Sequence, residues 1–135
     1  MLILNPRRVT FGPATWGHVE SVAIERTGEK TIAQWSDDGP HVVLADVPEQ
    51  RVTVKVGQAL QGEDISAPVP GDEAVLSFET AANSSAADRT TVSLTAVVTG
   101  VSYGVTRKSG TARTIELLAV SSDGSSDPVT VTPPA

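Results

Sequence analysis

Cysteine is missing from all 135 residues. Its absence removes disulfides, thiolate metal sites and cysteine nucleophiles together, and it fits synthesis in a reducing compartment. Aromatic side chains make up 4% of the chain: Phe11, Trp16, Trp35, Phe78 and Tyr103. A loop-borne aromatic platform of the kind that grips sugars or proteins is therefore poorly supplied. Long apolar runs are also lacking. No stretch approaches the roughly eighteen residues of a membrane span, and the opening MLILNPRR meets a Pro and two Arg too soon for a signal peptide. The expectation is a soluble protein made in the cytoplasm, with no membrane partner. Positive charge is in deficit, with a formal net charge of -6. Such a surface repels phosphate and opposes tight binding of nucleic acid or anionic lipid.

What the chain does have is Val, Thr and Ser in strand-like runs. The runs RRVTF, WGHVESVAIER, TIAQW, HVVLADV, QRVTVKVG, EAVLSFET, TVSLTAVVTGVSYGVT, TARTIELLAV and PVTV follow one another at even spacing. Between them lie turn signals: TGEK at 27–30, SDDGP at 36–40, VPEQ at 47–50, RKSG at 107–110 and SSDGSSD at 121–127. This pattern predicts one all-β domain over 1–135, a sandwich or barrel with at most one short helix.

Alternation assigns faces. Val52, Val54 and Val56 share one side of their strand, opposite Arg51, Thr53 and Lys55. In 73–80, Ala74, Leu76 and Phe78 point one way, and Glu73, Val75, Ser77 and Glu79 the other, a face acidic at both ends. Along 90–105 the apolar parity changes near Gly100, which predicts a bulge or bend. The stretch 58–72, QALQGEDISAPVPGD, reads as a loop too long for a hairpin turn, and AANSSAAD at 81–88 as a tip or one turn of helix.

Catalytic and metal motifs do not assemble. GVSYG at 100–104 has the spelling of a nucleophile elbow, but the residues after it read as strand and hairpin, and no histidine follows Ser102 to act as base. His18 and His41 would need carboxylates such as Asp37, Asp38 and Asp46 to complete a metal site, and no ligand spacing joins them. DGSSD at 123–127 has calcium-friendly residues without the alternating ligands and closing glutamate of the helix–loop template. Paired catalytic carboxylates and phosphate-cradling glycine loops are not recognisable, and Asn83-Ser84-Ser85 is a sequon without secretory context. The expectation is a protein that is not an enzyme and carries no cofactor and no metal.

The order of these features resembles the tail tube proteins of long-tailed bacteriophages and phage-like particles. The resemblance is carried by TFGPATWGHVESVAIERTGE, TIAQWSDDGPHVV, QRVTVKVGQAL, PGDEAVLSFET and ARTIELLAVSSDGSSDPVTV, and spans most of residues 9–131. It implies a small β-sandwich, usually flanked by one helix, whose strands join across six subunits into a ring around a lumen. The tube protein of type VI secretion is similar in fold. Stacked rings would form the channel through which DNA leaves the virion without specific binding, with tape measure and terminator proteins as further partners. A convincing long helix is the part of that pattern this chain lacks.

On that resemblance Glu73, Ser77 and Glu79 are expected to face the lumen, where acidic side chains repel phosphates. Within the 58–72 loop, Gln61, Glu63, Asp64 and Ile65 are expected to contact the next ring. Asp123, Asp127, Val129 and Val131 are expected to set a C-terminal arm, 128–135, against a neighbouring subunit. A single-ring tail component, such as a terminator or distal ring, and a non-phage β-sandwich binding module are the alternatives. The protein would be made in the host cytoplasm and reside in the virion tail.

Overall fold

A computed structural model of the chain describes residues 2–4, 6–60, 68–80, 90–106 and 110–133. Among these residues there is no helix. The strands are β1 (Leu2–Leu4), β2 (Arg7–Phe11), β3 (Ala14–Thr15), β4 (Val19–Trp35), β5 (Val42–Leu60), β6 (Glu73–Thr80), β7 (Thr90–Thr106), β8 (Gly110–Ala119) and β9 (Val129–Thr132). All pair antiparallel in one open sheet of order β1-β4-β5-β8-β7-β6-β2-β3, with β9 joined to β7 beside that path. The expected all-β class is what the chain adopts. The two shortest strands, β1 and β3, have too few residues to show a period and went unanticipated.

Period-two burial builds the core. Val22 and Ile24 of β4, Val52, Val54 and Val56 of β5, Ile115 and Leu117 of β8, Val92 to Val98 at even positions of β7, and Leu76 and Phe78 of β6 all point inward. They form one cluster with Val9, Phe11 and Trp16 from the far end of the sheet order, so the sheet curls its inner face around a common centre. Phe11 and Trp16 stack with centroids 5.1 Å apart. The parity change in β7 coincides with a register shift between Val98 and Gly100, after which Val101 packs on the core from an odd position.

Two polar side chains are buried beside this core among the described residues. Gln58 and Arg113 are both buried. The guanidinium donates from Nε, at 3.0 Å, and from Nη2 to Gln58 Oε1, and Gln58 Nε2 donates to the Gly17 carbonyl at 2.6 Å. Arg113 also lies 6.0 Å over the Trp16 ring. Gln58 thus ties β5 to β8 and to the turn before β4. It also places residues 58–60 in strand, where a loop was expected, because an amide with both ends bonded can be buried like an apolar residue.

The sequence reading also fails at TGEK and VPEQ. Neither is a turn: β4 continues through 27–30 and β5 through 47–50, and the two stretches face each other as irregularities in one ladder. Gly28 opposes Gln50, Lys30 opposes Glu49 and Ile32 opposes Asp46, with register shifts on both sides of Lys30. Breaker residues on both strands at the same level make a kinked hairpin instead of two turns. A Cβ on Gly28 would sit 2.7 Å from Val47 Cγ1, so glycine is what lets the strands close up there. Pro48 is tolerated because, among the described residues, β8 pairs with β5 from Thr53 onward and no strand lies beside that edge of β5 before it. SDDGP is the turn of this hairpin, as expected.

Replacing Gln58 with Leu should remove the Oε1 acceptor from a buried guanidinium and the donor from the Gly17 carbonyl. The expected loss is about 1.5–3 kcal/mol of unfolding free energy, the range for hydrogen bonds to charged groups. Urea denaturation followed by far-UV circular dichroism measures it, with Ser93→Ala on the outer face as a near-neutral control.

Candidate functional site

Two surfaces stand out, the outward face of the sheet and the hairpin that leaves it. Register places Thr10, Ser77, Ser93 and Thr130 in one row across β2, β6, β7 and β9. Glu79, Thr91 and Thr132 form the next row, and Val75 and Thr95 lie on the other side of the first. Since Leu76, Phe78, Val92 and Leu94 face inward, these rows share the opposite face. The result is a wall dominated by hydroxyls with few charges.

All three residues expected at a lumen lie on this face. Glu73 is exposed, while Ser77 and Glu79 are half-buried. The acidic character is weaker than alternation implied, because Arg8 Nη1 lies 3.5 Å from Glu79 Oε1 and offsets its charge. That contact depends on Arg8 adopting a positive φ of 52° at the irregularity between Arg7 and Thr10. No pattern in the sequence marks it. Farther along the face, Glu116 pairs with Lys55 at 3.4 Å. Ser102 lies within β7, opposite Thr114, in extended strand and not at an elbow.

The SSDGSSD segment is a self-bonded turn. Asp123 accepts from the Ser125 and Ser126 amides at 2.9 and 2.8 Å, from the Ser126 hydroxyl at 2.8 Å and from the Ser121 hydroxyl at 3.0 Å. Gly124 takes a φ of 80°, and its N–H donates to Ser121 Oγ at 3.1 Å. These donors, led by the Ser126 amide, hold the Asp123 carboxyl far below its usual range. Oxygens engaged by this many N–H and O–H donors are aimed at the turn itself and not at a cation. No group of three or more metal-ligating side chains gathers among the described residues.

Asp127 ends the same turn with a bidentate pair to Arg26, Nη1 to Oδ1 at 3.1 Å and Nη2 to Oδ2 at 3.0 Å. This ties the turn to the root of the β4–β5 hairpin. Val129 pairs with Leu94 and packs on the core, and Val131 pairs with Val92 and is exposed. The segment expected to form a C-terminal arm therefore folds back on its own β7 through Thr132. Gln61, Glu63, Asp64 and Ile65 lie outside the described residues.

The hairpin is the feature that the sequence reading missed. Beyond Arg26 and Arg51 its strands are exposed along almost their whole length, and Ile32, Trp35, Val42, Val43 and Leu44 near its turn are exposed apolar side chains. The available signal was TIAQW facing HVVLA across SDDGP, an apolar pair with no charge on either strand. The two breaker motifs below it disguised the hairpin as separate short strands.

Arg26, through its hydrogen bonds, and then the Val129 amide hold Asp127 below its ordinary carboxyl value of 3.8. A depressed folded pKa contributes stability that is present above the ordinary value and lost as pH falls through the folded one. Arg26→Ala should move the Asp127 titration up toward 3.8, as read by carboxyl-detected NMR. A double-mutant cycle on the exposed pair should give under about 1 kcal/mol.

Compared with known proteins, the chain matches no family model and no curated sequence.

Proposed function

We propose that this chain is a structural subunit of a phage or phage-like tail tube, forming hexameric rings that stack into a channel for DNA. In this reading it has no catalytic residue and needs no cofactor. Its partners are further copies of itself and other tail proteins such as tape measure and terminator, and its place is the virion tail.

The observation that carries the reading is an open antiparallel sheet with incompletely paired edges. At one end β1 pairs with Ser21, Val22 and Ala23 of β4, and beyond Ile24 no strand lies beside that edge of β4 among the described residues. At the other end, among the described residues, β3 pairs with Thr10 and Phe11 of β2, and the Trp16 amide just beyond it donates to the Val9 carbonyl at 2.9 Å. Exposed edges invite pairing with another chain, and a ring of subunits removes them by closure. The hydroxyl-rich outer face and the net charge of -6 support a wall that lets a polyanion pass without holding it.

Negative-stain microscopy of the purified protein at high concentration, across a salt series, tests this directly. Six-fold rings, with tubes at higher concentration, are the expected result. A field of monomers under every condition would remove the proposal in favour of a monomeric binding module. Rings that never stack would favour the terminator or distal-ring alternative.

A further inference from the structure

We propose that Asp38-Gly39, in the turn of the β4–β5 hairpin, is a site of spontaneous succinimide formation and conversion to isoaspartate, and that the chain's second Asp-Gly pair, Asp123-Gly124, is protected by the turn it lies in. The inference stands apart from the tube reading and concerns a covalent change whose only co-reactant is water.

Sequence marks the two pairs as equals. Asp-Gly occurs twice in the chain, at 38–39 and at 123–124. In such a pair the glycine, having no side chain, lets its backbone nitrogen approach the preceding carboxyl. The nitrogen attacks Asp Cγ: the N–Cγ bond forms, the Cγ–OH bond breaks, and the hydroxyl leaves with the amide hydrogen as one water. Water then adds back to the cyclic imide. Cleavage of the new N–Cγ bond restores aspartate, whereas cleavage between the nitrogen and the former backbone carbonyl carries the chain through Cβ and Cγ as isoaspartate. Nothing is oxidised or reduced.

Exposure does not separate the pairs, since all four residues are exposed. Hydrogen bonding does. Asp123 Oδ1 accepts from the Ser125 and Ser126 amides and from the Ser121 hydroxyl, and Oδ2 accepts from the Ser126 hydroxyl at 2.8 Å. The Gly124 nitrogen, which would have to attack, donates to Ser121 Oγ at 3.1 Å. Ring closure there must break bonds at both reacting groups. The same donors favour the ionised carboxylate, and only the protonated carboxyl can expel its oxygen as water.

Asp38 has none of these restraints. Its amide donates to Ser36 Oγ at 3.3 Å, but among the described residues nothing donates to its carboxyl and nothing accepts from the Gly39 nitrogen. The hairpin forms an arm with a charged stem, 25–30 and 46–51, and an uncharged tip, 32–35 and 42–45, closed by the turn 36–41. None of the core residues lies in this arm beyond Ile24 and Val52, so the turn can rearrange without opening the core. Isoaspartate would add one backbone carbon to the link between Trp35 and Val42, which pair at the end of the ladder, and move the free carboxylate onto Cα. Covalent ageing is thus directed to the tip of the arm, and the Asp123-centred turn at its root is spared.

The test compares the folded chain with itself unfolded. Wild type is held in warm, mildly acidic buffer with and without denaturing urea, then digested with an endoproteinase that cuts before aspartate but not before isoaspartate, and the peptides are quantified by mass spectrometry. In urea both pairs should convert at similar rates. In the folded protein Asp38 should keep its rate, while Asp123 should convert at least about tenfold more slowly than in urea, the change in protonated carboxyl that one unit of pKa depression brings.

Ser121→Ala removes a donor to Asp123 and the acceptor of the Gly124 N–H, and should raise conversion at Asp123 several-fold without changing Asp38; Ser126→Ala serves if that variant does not fold. Gly39→Ala should suppress conversion at Asp38 with unchanged far-UV circular dichroism, because a Cβ there meets nothing within 4 Å. Equal rates at the two pairs in the folded protein, or an Asp38 rate that falls on folding as far as that of Asp123, would overturn the proposal. Serine variants that fold and leave Asp123 as slow as in wild type would overturn the protective role of its turn.

Discussion

The β4–β5 ladder is the element on which the rest of the molecule depends. Its lower half lies in the middle of the sheet, with β4 on one side of β5 and β8 on the other, and supplies Val22, Ile24, Val52, Val54 and Val56 to the core. Its upper half leaves the sheet with no third strand beside it among the described residues. A hairpin of this length is stable only because its base is locked into a core that it also helps to build. The position of the tip is thus set by side chains far from it: packing at Val54 and Val56 fixes the direction in which Trp35 and Val43 are presented. The Arg26–Asp127 pair bridges the root of the hairpin to the turn beside it.

The two turn-like features at that root have complementary effects. Gly28 lets β4 approach Val47 closely, while the register shifts around Lys30 increase local twist and break the regular edge. The Asp123-centred turn, bonded within itself, supplies Asp127 as a fixed anchor for Arg26. A segment that looks in sequence like a ligand loop is a brace. Its polar atoms are engaged with one another and with the hairpin root, and what it contributes is rigidity at a junction between a packed body and an exposed lever.

Much of this fold is legible wherever burial follows a two-residue period. The faces of β5 and β6, the parity change at Gly100 and the closing strand at 129–132 could be read from residue types, because one side of each strand meets the core. Legibility ended where a strand leaves the core. In the arm neither face is buried, so alternation carries no information, and TGEK and VPEQ read as turns when they are facing breaks in one ladder. Gln58 and Arg113 escaped notice for the opposite reason: each is polar in isolation, and only their pairing makes them interior. Glu79 read as a free acid because Arg8 reaches it through backbone irregularity in another strand.

These exceptions have two causes: Gln58 with Arg113 and Arg8 with Glu79 are polar pairings made within the chain, whereas the arm has no buried face for alternation to record. In the stem, charges, bulges and a proline make exposure stable and unreactive. At the tip these safeguards are withdrawn over eight residues, while the acidic turn above and the charged stem below are retained. The charges and bulges keep the stem from pairing with other chains, and the uncharged residues of the tip are the part of the hairpin without that protection. The strand pair that supplies Val22, Ile24, Val52, Val54 and Val56 to the core thus carries five exposed large apolar side chains at its far end, because one ladder is buried at its base and exposed beyond Arg26 and Arg51.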